Sequence, residues 1–212
     1  MQKINVINNT GNNVNVTVNE KDNGIQMLID TAHNNKVQLS ECKQYEHFFD
    51  DDGEEYILCE LFEDGTASVL QANPLDKKME FGKNNNWNES YWREYLNSEY
   101  LESLEQKFGS ENIIEHKVDL TSLDGFDDYG YTVDKVAIRT FDEFRKTSKG
   151  VGLIDGPELL VTPKQTPSRG DSCSVLIDRG GGNLGCDGYG WDCCSVRPFF
   201  FLISSTFVSL EK

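Results

Sequence analysis

The sequence contains no apolar run long enough to cross a bilayer, and Met1-Gln2-Lys3-Ile4-Asn5 lacks the apolar core of a secretory signal. A membrane-spanning or signal-exported protein is therefore not expected. The simplest reading is a protein that stays where it is made. Histidine is scarce. His33, His47 and His116 are scattered, and none has a second ligand at metal spacing. There is no Gly-x-Ser-x-Gly elbow. Nothing marks a Ser-His-Asp or Cys-His site, although such sites assemble in space. The expectation is a non-enzymatic chain without cofactor or metal.

Basic residues are also in deficit, with 20 Lys and Arg against 36 Asp and Glu, a net charge of −16. The deficit is local. Residues 1–40 carry three acids and three bases, residues 129–212 ten of each, and residues 41–128 carry 23 acids against seven bases. That middle section repels phosphate backbones, which argues against direct nucleic-acid binding through it. It is either a solvated face that aids solubility or a decoy surface for the basic groove of a nucleic-acid-binding partner.

What is present is enough for a core: 37% apolar and 11% aromatic residues in 212. That length suits one domain plus an appendage. Of the six cysteines, Cys42, Cys59, Cys173, Cys186, Cys193 and Cys194, free thiols are expected in a chain with no signal segment.

Period-2 alternation opens the chain. Ile4 and Val6, then Val14, Val16 and Val18, alternate with Asn and Thr around Asn8-Asn9-Thr10-Gly11, which predicts a β-hairpin. Its Asn-rich outer face has few protecting charges, so it is expected to pair edge-to-edge with its own domain, another protein or a second copy. A short strand or helix is expected over residues 25–29. Residues 56–62 and 67–70, joined by Asp64-Gly65, predict a second hairpin.

Further along, Asn88 is read as a helix N-cap with Trp87 and Trp92 as a staple, and Ser98 as the cap of a second helix ending at Gly109. Residues 113–118 and 136–139 read as strands, with His116 at the surface or boundary. Thr140-Phe141-Asp142-Glu143 is a capping box that starts a helix through Lys146, and residues 147–158 read as irregular. Strands follow over 159–162 and 174–178, a turn at Gly180-Gly181-Gly182-Asn183, and the most apolar strand over 195–203.

Few constellations carry chemistry. Asp50-Asp51-Asp52-Gly53-Glu54-Glu55 invites a calcium loop, but Phe48 and Cys59 stand where ligands would be needed, so a solvated acidic turn is expected. Cys186-Asp187-Gly188-Tyr189-Gly190-Trp191-Asp192-Cys193-Cys194 has poor spacing for zinc. A redox role, a loop that covers the core, and a contact loop stay open. The Tyr, Trp, Gly and Asp content is that of recognition loops. Arg169-Gly170-Asp171 matches an integrin tripeptide by letters only. Arg197 reads as a structural arginine whose fork satisfies a carboxylate or carbonyls.

Several motifs occur in a familiar order. They are Asn86-Trp87-Asn88-Glu89-Ser90 with Arg93-Glu94-Tyr95-Leu96-Asn97, then Ile113-Ile114-Glu115-His116-Lys117-Val118, Asp134-Lys135-Val136, Val161-Thr162-Pro163 and Ser195-Val196-Arg197-Pro198-Phe199. The set resembles a domain-of-unknown-function family widespread in Gram-positive bacteria and their phages, over roughly residues 45–209. That family is similar to the C-type-lectin-like and formylglycine-generating-enzyme-like fold.

The resemblance implies an α+β, C-type-lectin-like domain of short helices and twisted antiparallel strands at residues 45–212. The N-terminal hairpin and connector at residues 1–44 precede it. It also implies a variable binding surface, phage- or prophage-encoded, for a protein or glycan partner. Asp187, Tyr189, Trp191 and Asp192 take that role, with Arg169 and Asp171 in the stretch 168–172. Homo-oligomerisation through the hairpin is part of this expectation. The alternative is an acidic anti-defence inhibitor of a host nuclease or immune effector. The chain departs from the family at Glu158-Leu159-Leu160, where a Trp-rich strand is common. It also departs at Cys193-Cys194, which does not reproduce the paired cysteines of the formylglycine-generating enzymes.

Overall fold

The computed structural model describes residues 2–7, 13–21, 24–30, 36–190 and 192–212, with side chains from residue 36 onward. The chain divides into two compact units, Met1–Lys36 and Val37–Lys212. In the first, β1 (Gln2–Ile7), β2 (Asn13–Lys21) and β3 (Gly24–Asp30) form an antiparallel sheet in that order. Ile4 lies opposite Val16 and Val6 opposite Val14, the pairing that the alternation predicts, while the expected turn residues 8–11 lie outside the described residues. Residues 25–29 belong to the third strand, because Ile25, Met27 and Ile29 continue the period of two.

The second unit begins as β4 (Lys36–Gln38) enters its largest sheet, followed by β5 (His47–Phe49), β6 (Glu55–Leu61) and β7 (Thr66–Gln71). Helices α1 (Tyr91–Leu96) and α2 (Glu99–Phe108) come next. After them run the short strands β8 (Ile113–Ile114), β9 (His116–Asp119), β10 (Tyr131–Asp134) and β11 (Val136–Ala137). Helix α3 (Phe141–Val151) precedes β12 (Glu158–Pro163), β13 (Ser174–Asp178), β14 (Leu184–Gly188), β15 (Phe199–Ile203) and β16 (Phe207–Ser209).

The strands form an eight-stranded sheet in the order β11-β15-β7-β6-β5-β16-β4 with β8 also on β15, a β9–β10 ribbon, and a β12-β13-β14 sheet. The unit is a mixed α/β body of mostly antiparallel strands.

The most apolar strand lies inside the large sheet. All five residues of β15 pair with β7 on one side, while β11 and β8 share its other side in tandem. Phe199, Phe200 and Leu202 are buried. The second hairpin is β6–β7, turned at Gly65 with φ +84° as its Asp-Gly sequence requires.

Five local expectations shift. Asn86 caps a 3-10 turn at Trp87–Glu89, and Ser90, not Asn88, caps α1 by accepting from the Arg93 N–H. Residues 113–118 divide between two sheets. His116 is buried because β9 turns its alternate residues, His116 and Val118, inward. The Thr140 capping box forms, but α3 runs to Val151, with Gly152 at φ +74° ending it. Residues 184–188, expected within a loop, are an edge strand paired with β13.

Candidate functional site

The resemblance motifs meet in space as structure. The Asp134 carboxylate accepts from Trp87 Nε1 at 2.9 Å, Thr132 Oγ1 at 2.7 Å and Arg93 Nε at 2.8 Å. Asn97 Oδ1 accepts the N–H groups of Lys135 and Val136, and its Nδ2 donates to the Val136 carbonyl. Trp87, Arg93, Asn97 and Asp134 therefore tie α1 to the start of β11. They are an internal knot, buried at the tryptophan and the aspartate.

A second buried cluster closes the body. Glu158 Oε1 accepts from Arg139 Nη2 at 2.8 Å and Arg197 Nε at 3.1 Å, and Oε2 from Arg197 Nη2 at 2.8 Å. Burial pushes the Glu158 carboxyl up, and the two guanidinium groups outweigh it, holding it below its ordinary range. Arg139 also donates to Thr147 Oγ1 at 3.0 Å and covers the Phe144 ring at 4.9 Å. Arg197 is thus the structural arginine that the sequence predicts. Glu158, noted only as a departure from the family, is its partner.

On this body the segments 81–85, 122–130, 164–174 and 187–190 converge. Asn85, wholly buried, joins three of them. Its Nδ2 donates to the carbonyls of Gln165 and Ser174, both at 2.9 Å, and its Oδ1 accepts from Tyr129 Oη at 2.8 Å. The Asn85 N–H donates to the Ser172 carbonyl, the Phe81 N–H to the Tyr189 carbonyl and the Tyr189 N–H to the Cys173 carbonyl. Nothing in the sequence set Asn85 apart within its asparagine run.

The six residues assigned to a partner surface divide. Asp187, half-buried on the edge strand β14, lies opposite Val175, with its carboxylate 3.5 Å from Arg179 Nη2. Asp171 is half-buried and accepts the Cys173 N–H at 2.7 Å in a local turn. Burial raises the Cys186 thiol, against a downward pull from Lys164 and Arg179, with Asp171 and Asp187 adding to the rise. Tyr189 is half-buried and packs on the main core. Asp192 is exposed, and Trp191 lies outside the described residues.

Arg169 belongs to a different neighbourhood. It is exposed, 3.5 Å from Asp124 and 5.1 Å above the Phe126 ring. Ser168 donates through N–H and hydroxyl to Asp128, which holds that carboxyl below its ordinary range. Beside this neighbourhood lies a cleft of about 300 Å3 between residues 119–123 and the start of α3, with Leu123, Phe141 and Arg145 in its wall.

Among the described residues no group of three or more His, Cys, Asp and Glu is placed to hold a metal ion. Burial, then the neighbouring Cys193, pushes the Cys194 thiol up to about 12. It is therefore protonated, and a poor nucleophile or ligand, at neutral pH. What the surface offers is carboxylates, the guanidinium groups of Arg169 and Arg179, the exposed thiols of Cys173 and Cys193, and aromatic rings.

The fold and site together describe a mixed α/β body, mostly antiparallel, whose described polar clusters are structural inside and carboxylate-rich outside. No protein-family model, curated protein or solved structure matches the chain.

Proposed function

We propose that this chain is a non-enzymatic, phage- or prophage-encoded binding protein with a C-type-lectin-like body. It presents residues 168–172 and 184–195 to a protein or glycan partner. The observation that carries the reading is the anchoring of those segments. Ser172, Cys173 and Tyr189 are bonded through their main chains to each other and to residues 81–85. Asp171, in the turn before Cys173, and Asp187, on the edge strand β14, are thereby held in place without further ordering. Preorganisation of this kind lowers the entropy cost of binding. Tyr189 is the inner support of the surface, Asp187, Asp192 and Trp191 are its contact groups, and Arg169, beside Asp124 and Phe126, is a separate contact point.

The test uses Asp187→Ala, Trp191→Ala and Asp192→Ala in the full chain against panels of cell-surface glycans and envelope proteins. At least a tenfold loss of affinity to the bound target is expected for one or more of them. Unchanged affinity in all three removes the reading.

A second reading, an acidic inhibitor that occupies the basic groove of a host nuclease or immune effector, is favoured by the placement of charge. Of the 23 acids in residues 41–128, Asp50 alone is buried. Such a complex weakens steeply as salt rises. A salt-insensitive complex excludes it.

A further inference from the structure

The cleft between residues 119–123 and α3 shares no residue with the segments 168–172 and 184–195. Its walls are held from several directions. The Leu123 N–H donates to the Pro163 carbonyl at 2.9 Å, which ties residues 119–123 to the end of β12. The Phe141 N–H donates to Thr162 Oγ1 at 2.8 Å, and the Thr140–Glu143 capping box fixes the first turn of α3. A ligand here meets groups that need no further ordering.

Two kinds of group line the cleft. Leu123, 48% exposed, and the half-buried Phe141 ring give it an apolar wall. The polar groups hold unused hydrogen-bonding capacity. Asp119 accepts the Thr121 N–H at 2.9 Å and the Thr121 hydroxyl at 2.6 Å, both through Oδ1. Asp142 Oδ1 lies 3.1 Å from Arg145 Nε. Among the described residues the second oxygens of both carboxylates, the two Nη groups of Arg145 and the hydroxyl proton of the buried Thr162 have no partner. Burial pushes the Asp119 carboxyl up, and the Thr121 hydrogen bonds outweigh it, so the group stays ionised and accepts only.

That inventory selects a ligand class. A phosphate meets two carboxylates and is repelled. A cation meets Arg145. The carboxylate of a free amino acid meets Asp142 where it approaches the guanidinium. An apolar ligand leaves the polar groups desolvated and unpaired. A neutral polyol satisfies all of them, because each hydroxyl both donates and accepts. The C–H face of a sugar ring matches the apolar wall. The volume, about 300 Å3, is at the lower end for small-molecule sites and suits a ligand of one ring.

We propose that this cleft is a saccharide-binding site, in which Asp119, Asp142 and Arg145 bind ring hydroxyls and Leu123 and Phe141 support the apolar ring face. The inference is independent of the partner-binding reading, and each can fail alone.

The experiment is an amide-resolved NMR titration of the full chain. The probes are methyl glycosides of the common hexoses, N-acetylhexosamines and deoxyhexoses, with inorganic phosphate and leucine as contrasts. At least one glycoside is expected to shift the signals of residues 119–123 and 140–145 saturably, while phosphate and leucine leave them in place. Asp119→Asn keeps the Oδ1 acceptor of the Thr121 turn, and Arg145→Gln lies at an exposed position. Each should weaken the glycoside by about tenfold or more, with the rest of the spectrum unchanged to show the fold intact. The proposal is overturned if no glycoside binds, if phosphate or leucine takes the cleft instead, if the shifts fall only in residues 168–172 and 184–195, or if either variant keeps the parent affinity.

Discussion

His116 is the residue whose chemistry is most at odds with its surroundings. Its ring stacks on Phe201 at 4.6 Å and meets Phe199 edge-on, and neither nitrogen has a hydrogen-bond partner. Burial lowers its pKa from 6.5 to about 4, against a smaller upward pull from Asp134. The folded state therefore takes up its proton later than the unfolded chain as pH falls. Above 6.5 the residue contributes no pH dependence. Between 6.5 and about 4 stability declines, and below 4 the loss is complete, about 3 kcal/mol in size. Urea titrations at pH 7 and pH 4 should show that His116→Leu narrows the gap in unfolding free energy by about that amount. An unchanged gap would mean that the imidazole is solvated in the folded protein.

At the scale of the element, α3 shows how a helix rule is overruled by its neighbour. Gly150 sits in the last turn, and the ring of Tyr45 occupies the space that a Cβ would take. The Tyr45 hydroxyl donates to the Lys146 carbonyl on the same helix at 3.5 Å. Alanine is better than glycine in a helix interior by about 1 kcal/mol. Even so, Gly150→Ala should destabilise the protein by about 1–3 kcal/mol through overpacking. Lys149→Ala, on the exposed side, should change stability by less than about 0.5 kcal/mol. Chemical denaturation of the pair checks this, and a stabilised Gly150→Ala would show the contact to be loose. The other end of α3 followed from sequence. Thr140 and Glu143 exchange the two bonds of a capping box, a local device set by spacing alone.

For the whole molecule the governing quantity is charge. A body with 23 acids and seven bases in residues 41–128, nearly all of the acids at the surface, repels itself. Only a few are neutralised at close range, as Asp50 is by Lys107 at 2.7 Å. Raising sodium chloride from low ionic strength to about 0.5 M shortens the screening length to roughly 4 Å. The unfolding temperature should rise by about 2–4 °C, as read by calorimetry. A fall would show that attractive pairs outweigh the repulsion.

The amino-acid sequence by itself determined what depends on near neighbours or on bulk composition. The β1–β2 pairing, the Asp-Gly turn of β6–β7, the capping box of α3, the interior place of β15 and the location of the charge surplus all follow from periods of two, turn residues and counts. The tertiary structure alone decided the rest. It made Glu158 the acceptor of two arginines, put His116 inside, and set Asn85 as the tie between segments about 80 residues apart in sequence. It also turned residues 184–188 into an edge strand and set Arg169 beside Asp124 and Phe126. Those outcomes rest on partners brought together across long stretches of chain, and a partner's burial and bonding geometry exist only once the chain has closed on itself.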